Sequence, residues 1–476
     1  MNMGDLTALS PFIMLSITAI VVMLAITLRR SHLLTVVLTL SGLSLTLASM
    51  NGALCQAPRD VTLLIMVDRY ALFFQALIVI GTSAIAALSF SYFEGRSGER
   101  EEFYLLLLLA TLGALVLTAA THFASLFLGI ELLSVSLYAL TAYHRHSLRS
   151  TEAGVKYLIL AAASSGVLLF GMALVYAETG SMTFTIIASR IGASGTYGLP
   201  LTAGLAMVLA GLGFKLAVVP FHLWTPDVYE GAPAPVTAFV ATISKGAVLA
   251  VLLRIFTSID IHGRPALLFI MSAVAVASMF VGNLLALQQN NVKRMLAYSS
   301  ISHLGYLLVT LLATGPMAIA AAAFYLVAYF ITTIGAFGVI SVISKKDRDA
   351  DLMEDYQGLA WRRPWLAAVF SAMLFSLAGI PLTAGFVGKF YVVGAGAESS
   401  LWPLVVVLVI NSTIGLFYYL RIIAALFERT EGQAAQTAAP ATRLGNAVLV
   451  CLMVLLIWLG VYPGPMIEII KKVTHF

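Results

Sequence analysis

Residues 211–235 read GLGFKLAVVPFHLWTPDVYEGAPAP, and residues 376–391 read SLAGIPLTAGFVGKFY. Each sets a proline and a lysine inside an otherwise apolar stretch. Proline removes a backbone hydrogen bond and kinks or breaks a helix, which is tolerated at membrane depth only where protein or water satisfies the freed groups. Both segments therefore read as discontinuous membrane helices.

The surrounding sequence agrees. Of 476 residues, 60% are hydrophobic and 10% charged, with mean hydropathy +0.97, whereas a soluble chain carries about 25% charged residues. Apolar runs of roughly 20 residues recur, about twice what a tilted barrel strand needs. No stretch leaves room for a soluble catalytic domain with its own core. Windows of about 19 residues place helices near 8–28, 33–50, 70–93, 102–120, 122–143, 152–177, 199–222, 235–256, 266–288, 295–313, 317–343, 365–394, 401–426 and 444–462. The expected fold class is an all-α polytopic membrane protein with about fourteen transmembrane helices. The first span lacks a basic leader and is followed by Arg29 and Arg30, so it reads as an anchored span and not as a cleaved signal peptide.

The two breaks fall in the seventh and twelfth spans, which makes spans four to eight and nine to thirteen two candidate repeats. Five is odd, so the second copy enters from the opposite side, the inverted arrangement of many transporters. The expected organisation is an N-terminal three-helix segment over 1–101, a first five-helix repeat over 102–256, a second, inverted repeat over 257–430, and a C-terminal helix and tail over 431–476. Sixteen lysines and arginines lie in one set of loops, six in the opposite set with the C-terminal tail, and five within spans. The richer side is expected to be cytoplasmic, which puts both termini on the outer face.

Several functions are disfavoured. Cys55 and Cys451 are too few for a disulfide framework and lack metal or iron–sulfur spacing, so no redox active site is expected in this chain. A net charge of +5 reports loop orientation and gives nucleic-acid binding no support. Neither a phosphate-binding glycine loop with its preceding strand nor a Ser-His-Asp arrangement can be argued.

The informative residues are charges inside spans. Glu131 lies about nine residues, or roughly 13 Å, into the fifth span. A lone charge there costs at least ~2.5–3.5 kcal/mol, so it must pair, protonate or face water. Lys215 precedes Pro220 by five residues, Lys245 lies ten residues into the eighth span, and Lys389 follows Pro381 by eight. Three lysines against one such carboxylate cannot all be structural salt bridges. Lysine suits proton transfer, because burial disfavours its charged form and a neighbouring carboxylate restores it; arginine would stay charged. The expectation is that Glu131 near Lys215 holds the amine protonated, that separation of the pair releases a proton, and that Lys245 is the station between Lys215 and Lys389.

Other polar residues carry two readings each. His222, just after Pro220, is a relay residue or a helix-end histidine bonded locally. His303 shares a face with Ser299, Ser300, Ser302 and Tyr306, which lines a hydrated path or joins helices through side-chain hydrogen bonds. The run KKDRDADLMEDYQGLAWRR over 345–363 is expected to be a solvated cytoplasmic loop. Arg254 and Arg421 are expected to snorkel toward helix ends.

The motifs GFKLAVVPFHLWTPDVYEGAPAPVTAF, NVKRMLAYSSISHLGYLL and SLAGIPLTAGFVGKFY, with Glu131 in LGIELLSVSLYAL, resemble the antiporter-like membrane subunits of respiratory complex I, the NADH-quinone oxidoreductase, over essentially the whole chain. Within that group, Lys389 and the AASSGVLLFG stretch resemble the smallest of the three bacterial kinds. One larger kind is expected to carry glutamate at position 389, and another a long lateral C-terminal helix for which no room remains after the last span. Leu382 stands where the family often has a second proline. The resemblance implies that Glu131, Lys215, Lys245 and Lys389 carry protons, with His222 and His303 as possible relays. It implies no cofactor in this chain; FMN, iron–sulfur clusters and quinone belong to partner subunits. It further implies neighbouring antiporter-like and small membrane subunits as partners, and a bacterial inner membrane location. Cation/proton antiporter subunits of multi-subunit antiporters and membrane-bound hydrogenases share these motifs. A purely structural membrane spacer is the third class.

Overall fold

The computed structural model describes residues 2–96, 98–193, 198–257, 264–428 and 443–474. The expected domain boundary at 430–431 lies outside them. Among the described residues, thirteen helices are long and apolar enough to cross a membrane: Ser10–Leu28, His32–Gln56, Arg69–Phe93, Glu101–Ala119, Phe123–Thr141, Leu148–Thr179, Leu199–Leu216, Ala234–Thr257, Pro265–Leu287, Val292–Leu312, Pro316–Ile343, Trp402–Phe427 and Arg443–Val461. The expected span over 365–394 is divided between two shorter helices, Pro364–Ala378 and Ala384–Glu398. The chain is therefore an all-helical polytopic membrane protein, apart from a small antiparallel hairpin of Arg59–Thr62 with Ile65–Val67.

Local chemistry sets the helix ends. Ser147 accepts a hydrogen bond from the Ser150 amide at the start of Leu148–Thr179, and Gly180, left-handed at φ 57°, ends that helix. Asn291 accepts from the Arg294 amide at the start of Val292–Leu312. The expected first span is Ser10–Leu28, preceded by a separate short helix, Met3–Ala8, which Asn2 and Asp5 start with a capping box.

The chain forms two compact units. The first comprises 1–83, 99–224 and 243–270, and the second 84–98, 225–242 and 271–476. In the first, helices Glu101–Ala119 and Phe123–Thr141 approach closely at Gly113, where a Cβ would stand 2.5 Å from the Leu133 amide nitrogen. That contact fixes the helix bearing Glu131. In the second unit, Val292–Leu312 and Pro316–Ile343 are buried almost throughout, which lets their serines, tyrosines and histidine find partners inside the protein and not lipid.

Both expected breaks are present, and they share one cause. Leu199–Leu216 ends with Ala217 at φ 61°; Val218 N donates to Gly213 O (3.1 Å) and Ala217 N to Phe214 O (3.0 Å). Pro364–Ala378 ends with Gly379 at φ 86°; Ile380 N donates to Phe375 O (2.9 Å) and Gly379 N to Ser376 O (3.1 Å). Each is a Schellman termination. Unwinding thus begins at a left-handed residue three positions before Pro220 and two before Pro381, and the prolines follow the stop.

Two sequence expectations are corrected. Arg254 does not snorkel: at 8% exposure, its guanidinium pairs with both carboxylate oxygens of Asp68 (2.8 and 2.9 Å) and donates to Thr118 O (3.3 Å). A bidentate partner inside the protein outweighs reaching for the interface. Nor is 345–363 simply a solvated loop. Asp349 pairs with Lys293 (2.9 Å) and Arg96 (3.5 Å) and accepts from Tyr92 Oη (2.6 Å) and Ala234 N (3.0 Å), while Tyr356 is fully buried. Burial alone would raise the Asp349 carboxyl, but the Lys293 and Arg96 cations outweigh it and hold it down at about 2. Arg421 donates to Leu287 O (3.2 Å) and to Asn290 Oδ1, tying one helix end to another.

Candidate functional site

In the first unit, Glu131 projects from Phe123–Thr141 and Lys215 from the last turn of Leu199–Leu216. They do not form the direct pair expected from sequence. Lys215, 3% exposed, donates from Nζ to Ser134 Oγ (2.6 Å), and Ser134 Oγ donates to Ile130 O (2.5 Å). Glu131, half-buried, accepts from Ser165 Oγ (2.5 Å). Ser134 stands three residues beyond Glu131 on the same helix face, so a hydroxyl occupies the place where the carboxylate was expected. The carboxylate remains within electrostatic reach of the amine.

The break beside Lys215 is closed by an aromatic side chain. Trp224 Nε1 donates to Phe214 O (2.9 Å), and its ring stacks on Tyr157 at 4.8 Å. The Tyr157 ring lies 5.9 Å from Lys215 Nζ. His222 is buried in the break, and among the described residues its Nδ1 has no hydrogen-bond partner. The ring also interacts with the Pro220 backbone, the local bonding considered from sequence.

Lys245, 1% exposed, opens the helix Lys245–Thr257 immediately after one turn of π-helix, Val240–Ser244. Such turns widen the helix and recur at functional sites.

In the second unit, Lys389 lies on Ala384–Glu398, the half-helix after the break. Its Nζ donates to Leu377 O (2.8 Å), Ala378 O (2.8 Å) and Ser412 Oγ (2.9 Å). The two carbonyls are those that the Schellman bonds leave over at the end of Pro364–Ala378. Freed carbonyls at membrane depth need a partner from protein or water, and here the lysine itself satisfies them. Gly379 suits this turn because its φ of 86° is left-handed, and a Cβ there would displace the Lys389 chain, 2.9 Å away.

A small cavity of about 10 Å³, room for roughly one water molecule, adjoins Lys389 and is walled by His303, Tyr325, Tyr329, Thr332 and Ser376. Of the polar face read on Val292–Leu312, His303 bonds through Nδ1 to Tyr325 Oη (2.7 Å) and through Nε2 to Tyr419 Oη (3.1 Å). Ser299 bonds to Tyr419 Oη, Ser300 to Tyr329 Oη at 2.7 Å, and Tyr306 Oη accepts from Asn283 Nδ2 at 3.3 Å. The face thus joins several helices through side-chain hydrogen bonds, and of its members His303 also borders the cavity.

Sequence reasoning missed Ser134, Ser165, Ser412 and Tyr325. Ser134 had a signal, its spacing from Glu131; Ser412 had none, because only the fold brings it to Lys389.

Comparison with known proteins places this architecture. A family profile described as "NADH:quinone oxidoreductase/Mrp antiporter, TM" matches residues 120–415. "NADH-quinone oxidoreductase subunit N" of Ectopseudomonas mendocina (strain ymp) is 50% identical over 98% of this chain and 96% of its own length. The protein of the same name from Chromohalobacter salexigens is 50% identical over 98% of this chain and 99% of its own. Among solved structures, a chain of respiratory complex I from Thermus thermophilus with bound aureothin superposes with TM-score 0.82 at 32% identity, covering 96% of this chain and 98% of that one. A chain of the archaeal membrane-bound sulfane sulfur reductase gives 0.87 at 25% identity over 99% and 97%, and one of the Mrp complex from Dietzia sp. DQ12-45-1b gives 0.86 at 21% over 100% and 97%, the last a likeness of fold. At half identity over nearly the full length of both chains, the protein belongs to the subunit N branch of the NADH:quinone oxidoreductase/Mrp antiporter membrane family.

Proposed function

We propose that this chain carries protons across the membrane as subunit N of NADH-quinone oxidoreductase, through Glu131, Lys215, Lys245 and Lys389, with His222 and His303 as relays. The observation that carries the assignment of residues is a contrast in how cations are held. Arg254 and Lys293 are buried and pair directly with Asp68 and Asp349. Lys215 and Lys389 are equally buried yet hydrogen-bond to hydroxyls and carbonyls, with no ion pair among the described residues. A buried cation without a counter-ion is costly to keep for structure alone, and a lysine so placed can lose its proton.

Glu131 then acts as the modulator of Lys215, with Ser134 between them, and Lys245 as the intermediate station. FMN, iron–sulfur clusters and quinone would reside in partner subunits, together with neighbouring antiporter-like and small membrane subunits. The chain would lie in a bacterial inner membrane with both termini outward, and its two discontinuous helices, ended by the same motif, support a pair of inverted repeats. The cation/proton antiporter reading is the weaker one, since the relatives at 50% identity bear the oxidoreductase name.

The test is proton translocation by the assembled complex in proteoliposomes. Lys215→Ala and Glu131→Ala should each abolish or strongly reduce it, and Lys215→Arg should fail as well, because guanidinium stays charged. A normal proton-to-electron ratio in an assembled Lys215→Ala complex would refute the assignment.

A further inference from the structure

Lys389 has three hydrogen-bond partners, and they differ in kind. Leu377 O and Ala378 O, each at 2.8 Å, can only accept. Ser412 Oγ, at 2.9 Å, can accept or donate. Ser412 also has a second place for its own hydrogen, Ala378 O at 3.3 Å, a long bond for a hydroxyl donor.

An ammonium group offers three donors, which these three acceptors match. A neutral amine offers two N–H groups and one lone pair. The two carbonyls still require the two N–H groups, because nothing else among their described side-chain contacts would replace both donors at the end of the helix. The lone pair then needs a donor, and of the three partners only Ser412 can supply one.

We propose that Ser412 is a positioning residue for the protonation change at Lys389: its hydroxyl accepts from the charged amine and turns to donate to the neutral one. The hydrogen that rests on Ala378 O swings onto Nζ. In the release step one Lys389 N–H bond breaks, the proton forms an O–H bond on a water molecule, and the electron pair left on Nζ receives the Ser412 hydrogen bond. Uptake reverses each change. No bond of Ser412 itself breaks, and the end of Pro364–Ala378 stays paired in both states. This rests on the reading of Lys389 as a proton carrier.

The other groups that face the amine do not take this role. His303, Tyr325 and Tyr329 border the adjoining cavity, His303 being bonded to Tyr325 and Tyr419. Tyr306 presents its ring, 5.4 Å from Nζ. Tyr418 donates to Asn283 Oδ1. Among the described residues, no carboxylate walls the cavity or bonds to the amine.

The experiment compares Ser412→Ala, Ser412→Thr and Lys389→Met in the assembled complex, reading proton translocation per electron from about pH 6 to pH 9. Ser412→Ala is expected to translocate several-fold more slowly, with its pH profile displaced by about one unit, as loss of one hydrogen bond to a titrating group implies. Ser412→Thr, which keeps the hydroxyl, should restore both. Should alanine prevent assembly, Ser412→Thr against the isosteric Ser412→Val isolates the hydroxyl. An impaired rate with an unmoved pH profile, or failure of threonine to restore it, would show mere helix packing and overturn the proposal. So would wild-type behaviour of Ser412→Ala beside an inactive Lys389→Met. Normal translocation by Lys389→Met would instead overturn the reading of Lys389 itself.

Discussion

Asp349→Asn should loosen the second unit at the 344–356 segment, and the size of the effect can be worked out in two ways. The Asp349 carboxyl is held at about 2 against an ordinary 3.8, and nearly two units at 1.36 kcal/mol each give ~2.5 kcal/mol. Loss of the charge also leaves Lys293, 1% exposed, buried without its counter-ion, for which ~3–5 kcal/mol is typical. Hydrogen–deuterium exchange should report this at the amides of Val292, which donates to Asp351 O (2.6 Å), of Ala350, which donates to Ser344 Oγ (3.0 Å), and of Met353, which donates to Asn290 O (3.2 Å). If local opening governs exchange, rates there should rise about 10²-fold or more. Adding Lys293→Met should recover part of the loss, because the stranded ammonium is removed. The sign with pH follows from the depressed carboxyl: its contribution is full above about pH 4 and disappears as pH falls through 2. The variant should lack that acid-dependent component. A change in exchange below tenfold, or strictly additive effects of the two substitutions, would refute the argument.

The Arg254–Asp68 pair should be structural: Arg254→Leu alone should destabilise by ~3–5 kcal/mol, and Asp68→Leu added to it should recover much of that. Thermal inactivation of the purified complex would measure it, and altered translocation per assembled Arg254→Leu complex would show that the pair does more than hold the fold. Lys245→Met should hinder translocation while leaving assembly intact. Collapse of assembly would mark Lys245 as a structural cation, and undiminished translocation would remove it from the path.

The fold was legible because long apolar runs have one solution in a bilayer. The two breaks were legible as well, though for an incomplete reason. Pro220 and Pro381 announce them, while the stops are made by Ala217 and Gly379, and only glycine signals a left-handed position in sequence; Ala217 is invisible. Among charges, depth in a span exposed Glu131, Lys215, Lys245 and Lys389, because an ionisable residue there is conspicuous. Partnership was not legible. Arg254 and Asp68 are 186 residues apart, and Asp349 and Lys293 are 56 apart, so neither spacing nor periodicity could join them. For the same reason Arg254 read as an interfacial cation and 345–363 as solvated loop. The hydroxyls were hidden still more deeply, since serine is ordinary in membrane helices and only its neighbour gives it meaning.

The positions of Lys215 and Lys389 make sense once the helix ends are considered and not the prolines. Lys215 belongs to the half-helix that stops, two residues before its left-handed Ala217; Lys389 belongs to the half-helix that starts, ten residues after Gly379. On the chain they stand on opposite sides of their breaks. Yet both reach the C-terminal end of the half-helix before the break, Lys215 by position and Lys389 by its bonds to Leu377 O and Ala378 O. A helix C-terminus carries roughly half a negative charge, which favours a cation without supplying a carboxylate's full charge. A carboxylate paired directly would hold the proton too firmly, while an apolar pocket would not admit it. An unwound helix end lies between these limits, so a lysine there can change state in response to a small displacement of neighbours such as Ser134 or Ser412.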